Sequence, residues 1–117
     1  MDLFTIAYIE AALWSSMDES DEQGGEPLDA NYGPDDIAPE TLVSILDDCK
    51  AFQEAHADDI GGELERAGHD FWLTRNGHGA GFWDGDWPDN VGQRLTDASD
   101  VYGSVDLYVG DDGLIYS

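Results

Sequence analysis

Two Phe-Trp pairs, Phe71-Trp72 and Phe82-Trp83, bracket the run Leu73-Thr74-Arg75-Asn76-Gly77-His78-Gly79-Ala80-Gly81, and no other stretch constrains the fold as strongly. Each such ring takes about 150–250 Å² out of water when buried, so four of them close together fix where a core must form. An aromatic run, an Asn-Gly dipeptide and a second aromatic run form the pattern of a β-hairpin. The hairpin is expected over His69 to Asp84, with Phe71 and Leu73 on one face and Trp72 and Thr74 on the other. Its glycines leave His78 sterically open at the tip, next to Arg75 and Asn76.

The rest of the chain must accommodate charge. Four Lys and Arg stand against 27 Asp and Glu in 117 residues, a formal net charge of −23. Self-repulsion on that scale opposes compaction, so a folded chain must hold its carboxylates at the surface. Direct contact with DNA, RNA or anionic lipid is disfavoured, because phosphate contacts need Lys and Arg. A hydrophobic fraction of 41% with four Trp supports a true core, and the length predicts a single domain over residues 1–117. No apolar run reaches transmembrane length, and Met1-Asp2-Leu3-Phe4 lacks a basic leader. The lone Cys49 fits a reducing compartment. The expectation is a soluble cytoplasmic protein.

Residues 3–14 are apolar nearly all round and predict a buried first helix running to about Met17. An acidic loop follows at about 18–36, punctuated by Gly24-Gly25, Pro27 and Gly33-Pro34, with Leu28 and Tyr32 as anchors. Pro39 opens a second helix whose inner face is Leu42, Ile45, Leu46, Cys49, Phe52 and His56. Gly61-Gly62 ends or interrupts it, and Glu63 to Gly68 is a polar connection with room for one further helical turn. After the aromatic hairpin, Pro88 starts a third helix, capped by Asp86 or Trp87. Its stripe is Val91, Leu95, Ala98 and Val101 or Tyr102, and Gly103 stops it. Val105 to Val109 and Leu114-Ile115-Tyr116 form a closing hairpin about Asp112-Gly113. The predicted fold is α+β, three helices with an antiparallel sheet of two hairpins, in the order α-α-β-β-α-β-β.

These residues bear on several chemistries. Arg75, Asn76, His78 and Asp84, with His69, Asp70 and Asp86 close by, make an alternative site with acid-base groups. Catalysis there needs a carboxylate to orient the histidine and a pocket that excludes water. Turn geometry alone also explains the glycines, so no catalytic residue is assigned. Gly77-x-Gly79-x-Gly81 is not a dinucleotide fingerprint, because Phe82 replaces the third glycine and no helix follows. Asp84-Gly85-Asp86 begins like a calcium loop, but Pro88, Asp89 and Leu95 break the pattern. One Cys and three scattered His give no zinc motif. No metal and no cofactor are expected, and Cys49 reads as a buried small hydrophobe.

The sharper expectation is an acidic partner-binding face. Glu40, Asp47 and Glu54 recur along one side of the second helix in steps of roughly 10 Å, and Asp58 extends them. Asp18, Glu19, Asp21, Glu22, Glu26 and Asp29 add the acidic loop. Duplex DNA carries about one charge per 1.7 Å, so dense carboxylates on a long face can imitate it toward a basic partner. A solvated acidic shell is the competing explanation.

The wording of Phe71 to Asp84, of Asp106-Leu107-Tyr108-Val109-Gly110-Asp111-Asp112-Gly113-Leu114-Ile115-Tyr116, of Asp18-Glu19-Ser20-Asp21-Glu22 and of Gly25-Glu26-Pro27-Leu28-Asp29 resembles a family of small acidic proteins encoded by bacteriophages and prophages. The likeness spans most of the chain. The family brings no assigned activity, so no catalytic residue carries over. The resemblance implies a phage origin, which favours blocking of host defence or host DNA enzymes. Together these give three expectations. The first is a DNA mimic bound to a basic host protein, without membrane or direct nucleic-acid contact. The second is a small binding protein or enzyme at residues 69–86. The third is a phage structural or assembly protein, recognisable as a homo-oligomer.

Overall fold

Asp2 opens the first helix, α1 (Leu3–Ser15): its carboxylate accepts the Thr5 N–H at 2.9 Å, satisfying one of the free donors of the first turn. The computed structural model describes residues 1–18, 25–78, 80–83 and 87–117, apart from the side chains of Asp18 and Asp89. Phe4, Thr5, Ala7, Tyr8, Ile9, Ala11, Ala12 and Leu13 of α1 are buried. The helix is not buried all round as expected, because Leu3, Ile6 and Trp14 lie on an exposed side.

The acidic loop carries more structure than its composition predicts. β1 (Met17–Asp18) pairs antiparallel with β2 (Glu26–Pro27), and short 3-10 turns occupy Leu28–Ala30 and Pro34–Asp36. Leu28 is fully buried and Tyr32 partly so, as anchors should be. Glu19, Asp21 and Glu22 lie outside the described residues.

α2 (Pro39–Ile60) matches its predicted bounds, with Pro39 at the first helical position and Gly61, at φ 59°, ending it. Ile45, Cys49 and Phe52 are buried on the expected face, while Leu46 is exposed. At His56 the backbone leaves helical geometry (φ −127°, ψ 23°) and the helix kinks. Asp58 therefore sits beyond a bend from Glu40, Asp47 and Glu54.

The largest correction concerns the aromatic stretch. Leu64–Arg75 is a helix, α3, not a polar connection followed by a strand. Its end explains the misreading. Gly77, at φ 68°, donates its N–H to the Thr74 carbonyl, and His78 donates to Leu73. This pair of bonds is the Schellman arrangement, in which a left-handed glycine closes a helix. Asn76-Gly77 thus ends a helix rather than turning a hairpin. Phe71, Trp72, Leu73, Thr74 and Arg75 are all buried, so no two-fold alternation exists. The chain then folds back over α3, where the Phe82 N–H is held by the Thr74 hydroxyl at 3.0 Å. Trp87 donates its indole N–H to Asp70 at 2.8 Å.

α4 (Asp89–Tyr102) begins one residue later than predicted, with Pro88 itself in the cap position and no side-chain cap. Leu95 and Ser99 are buried, Tyr102 packs partly on the core, and Val101 is exposed. Gly103, at φ 73°, ends the helix as expected. β3 (Tyr108–Val109) pairs antiparallel with β4 (Ile115–Tyr116), a shorter version of the closing hairpin. Ile115 is fully buried, and its carbonyl accepts the Ala38 N–H at 2.9 Å.

Among the described residues the architecture is mostly helical, four α-helices with two separate two-stranded ribbons instead of three helices and a sheet of two hairpins. α1 packs mainly on α3, and α3 also meets α4. A cluster of rings fills the centre: Phe52 stacks on Phe71 at 4.1 Å, with Phe4, Tyr8, Phe82 and Tyr102 around them. Gly68 lets α1 and α3 touch, since a side chain there would strike the Phe4 carbonyl. The principal extents are 44 × 26 × 21 Å. Among the described residues no helix is long and apolar enough to cross a membrane.

Candidate functional site

The acidic face is built on α2, the longest helix, whose 22 residues span about 33 Å. Glu40, Asp47, Glu54 and Asp58 are all exposed, as are Glu26 and Asp29 beside the 3-10 turn. Glu26 accepts a hydrogen bond from Asn31 at 3.0 Å. Each of the four basic side chains lies near a carboxylate: Lys50 near Glu54, Arg66 near Glu63, Arg75 near Asp48 and Arg94 near Asp59. The first two contacts are long, 4.0 and 3.9 Å, and solvent-exposed, so they contribute little to stability. Arg94 grips Asp59 through two nitrogens and ties α4 to α2, and that hydrogen bonding holds the Asp59 carboxyl below the usual range.

Arg75 is the residue whose place differs most from expectation. Its guanidinium is buried, not displayed at a tip. Nε donates to the Gly103 carbonyl at 2.8 Å and Nη2 to the Tyr102 carbonyl at 3.0 Å. Nη1 donates to Asp48 at 2.9 Å and to the Tyr8 hydroxyl at 3.1 Å. The same group lies over the Phe71 and Tyr102 rings, at 5.4 and 5.5 Å. One side chain thus joins α1, α2 and α3 and closes the C-terminus of α4, where the helix dipole favours a cation. Burial pushes the Tyr8 phenol well above its ordinary value.

His78 and Asn76 do share a recess. They line a cleft of about 550 Å³ with Ser15, Trp72, Ser104 and Asp106. Three of its polar side chains, Trp72, Ser15 and Asn76, are committed to hydrogen bonds. Trp72 donates to the Ser15 hydroxyl at 2.7 Å, and Ser15 donates to the Ala11 carbonyl. The Asn76 side chain accepts from the Val105 N–H at 2.7 Å and donates to the Trp72 carbonyl at 2.9 Å, holding the segment after α4 against the end of α3. Of the four alternative-site residues, His78 and Asn76 meet at the cleft, Arg75 turns into the core, and Asp84 lies outside the described residues. Cys49 is fully buried and its thiol is pushed up to about 12 by burial, so it does not present a thiolate. Among the described residues no group of three or more His, Cys, Asp or Glu converges as a metal site.

A third surface, absent from the sequence expectations, lies on α1. Leu3, Ile6 and Trp14 fall on one exposed side of α1, and Trp14 lies 6.2 Å from the His69 ring of α3. Their spacing of three and eight residues was the available signal, hidden by the equally apolar residues between them. Comparison with known proteins finds no family model, no curated relative and no solved structure that matches the chain.

Proposed function

We propose that this chain is a non-enzymatic acidic protein, of phage origin, that occupies the basic nucleic-acid-binding surface of a host defence or DNA-processing protein. The observation that carries this reading is charge per length. Among the described side chains, 20 Asp and Glu against four Lys and Arg leave −16 along a 44 Å axis, about one charge per 2.8 Å, the same order as the roughly 1.7 Å of duplex DNA. Glu40, Asp47 and Glu54 stand exposed on one straight segment of helix, where a cleft lined with Lys and Arg can meet them together. Such pairing speeds association and weakens as salt screens it.

The test is capture from host lysate at low and high salt, followed by competition with duplex DNA. Retention of a nucleic-acid-binding protein that DNA displaces supports the proposal. Retention of none at low salt, or binding unaffected when Glu40, Asp47 and Glu54 become Gln, overturns it.

A second reading, a small binding site at the 69–86 stretch, is favoured by the cleft that His78 and Asn76 line. On that reading His78→Ala removes ligand binding while the acidic-face variants leave it intact.

A further inference from the structure

Exposed apolar residues on so charged a molecule require a reason. Leu3, Ile6 and Trp14 are 52%, 40% and 58% exposed, and they flank Glu10 on a single side of α1. From Leu3 to Trp14 the side runs about 16 Å, three turns of helix. On α2, Val43 and Leu46 are 57% and 39% exposed. Gln53 of α2 reaches Asp2 at the start of α1, which sets the side of α2 that meets α1. At about 100° per residue, Leu46 and Val43 fall between that line and the line of Glu40, Asp47 and Glu54. Val43 and Leu46 therefore border the acidic column on the side of α2 that turns toward α1.

We propose that the apolar strip of α1, together with Val43, Leu46 and the acidic column they border, is a docking surface for an amphipathic basic helix of the partner, one that carries apolar residues at helical spacing flanked by Lys or Arg. The inference rests on the reading of the acidic face given above. Charge complementarity selects the occupant. Glu10 sits within the strip and shares a groove between α1 and α3 with Glu65, Asp70, His69 and Arg66, three carboxylates against one arginine. A wholly apolar partner would strip water from Glu10 without pairing it. A second copy of this chain would bring one −23 surface against another. A helix with Lys or Arg beside its apolar residues pairs Glu10 and buries Ile6 and Trp14, and the Trp14 ring face accepts a cation.

The test uses two synthetic peptides of identical Leu/Lys composition, one with leucines at helical spacing and one scrambled so that no apolar face forms. Anisotropy of labelled peptide gives the affinity of each at several salt concentrations. The amphipathic peptide is expected to bind about tenfold tighter than the scrambled one, and Ile6→Ser with Trp14→Ser to abolish that excess without changing the scrambled-peptide affinity. Val43→Ser with Leu46→Ser should reduce the same excess and leaves α1 untouched, so loss of one helix cannot imitate the result. Equal affinities for the two peptides, or a dimer of the wild-type chain that Trp14→Ser dissociates, would overturn the docking surface and leave the acidic face standing. Salt-independent or absent binding of both peptides would overturn the acidic face itself.

Discussion

Replacing Arg75 with Met tests whether this residue holds the fold together or serves a site. Four hydrogen bonds from the guanidinium are lost, two to carbonyls at the end of α4, one to Tyr8 and one to Asp48. Hydrogen bonds to a charged group are each worth about 1.5–3 kcal/mol, but removing the charge also relieves its burial. The expected net cost is that of leaving the Gly103 and Tyr102 carbonyls and the Tyr8 hydroxyl without their donor, about 3–5 kcal/mol in all. Against a total stability of about 5–15 kcal/mol, this is a large share. Asp48→Asn should cost less, about 1–2 kcal/mol, because the amide oxygen can still accept from Nη1 and the guanidinium keeps its bonds to two carbonyls and Tyr8. Urea unfolding followed by circular dichroism measures both, and Arg75→Met should lower the melting temperature by on the order of 10–20 °C. Arg75→Lys should fall between, since it keeps the charge and loses the planar fork. An Arg75→Met variant within about 1 kcal/mol of the wild type would refute the account.

Two more outcomes follow from the packing and the closing hairpin. Gly68→Ala gains about 1 kcal/mol of helix propensity yet is expected to destabilise overall by about 1–3 kcal/mol, because the added methyl strikes the Phe4 backbone; a chain stabilised in urea would show that α1 and α3 are not in such contact. In the hairpin, the Tyr116 hydroxyl donates to Asp112 at 2.6 Å, which pushes the phenol up to about 12 and holds the Asp112 carboxyl below its usual range. The raised phenol contributes stability below about pH 10, lost as pH climbs through about 12; the lowered carboxyl contributes above about pH 4, lost as pH falls through its folded value. Absorbance titration of Asp112→Asn should show one tyrosine returning toward about pH 10, and an unchanged titration would contradict the bond.

α2 was legible in the sequence because its signals agree: proline at the first turn, a one-sided stripe through Ile45, Cys49 and Phe52, and glycine at the end. α3 was not, because its second half is enclosed. With α1, α4, Phe82 and Trp87 around them, Phe71 through Arg75 are all interior, and a segment buried on every side has no stripe. Asn76-Gly77 then supplied the wrong punctuation, since the same left-handed glycine serves a hairpin turn and a helix cap. α1 shows the converse. Its uniform apolarity suggested complete burial, while Leu3, Ile6 and Trp14 face outward. On the candidate site, the exposed carboxylates of α2 stand where periodicity put them. The partners of Arg75 were beyond reach, because Tyr8, Asp48 and Gly103 converge only through tertiary packing.

The bond between Ala38 and Ile115 has a consequence for the order of assembly. It joins the residue that precedes α2 to one 77 positions later, a loop whose closure is slow because its entropy must be spent before any contact rewards it. A nascent chain leaving the ribosome presents Ala38 long before Ile115 exists. The acidic helix can therefore form early, but its near end is fastened only when the last strand arrives. Until then the carboxylates of α2 hang from an untied joint, and the surface that a basic partner would read takes its final orientation only once β4 has docked.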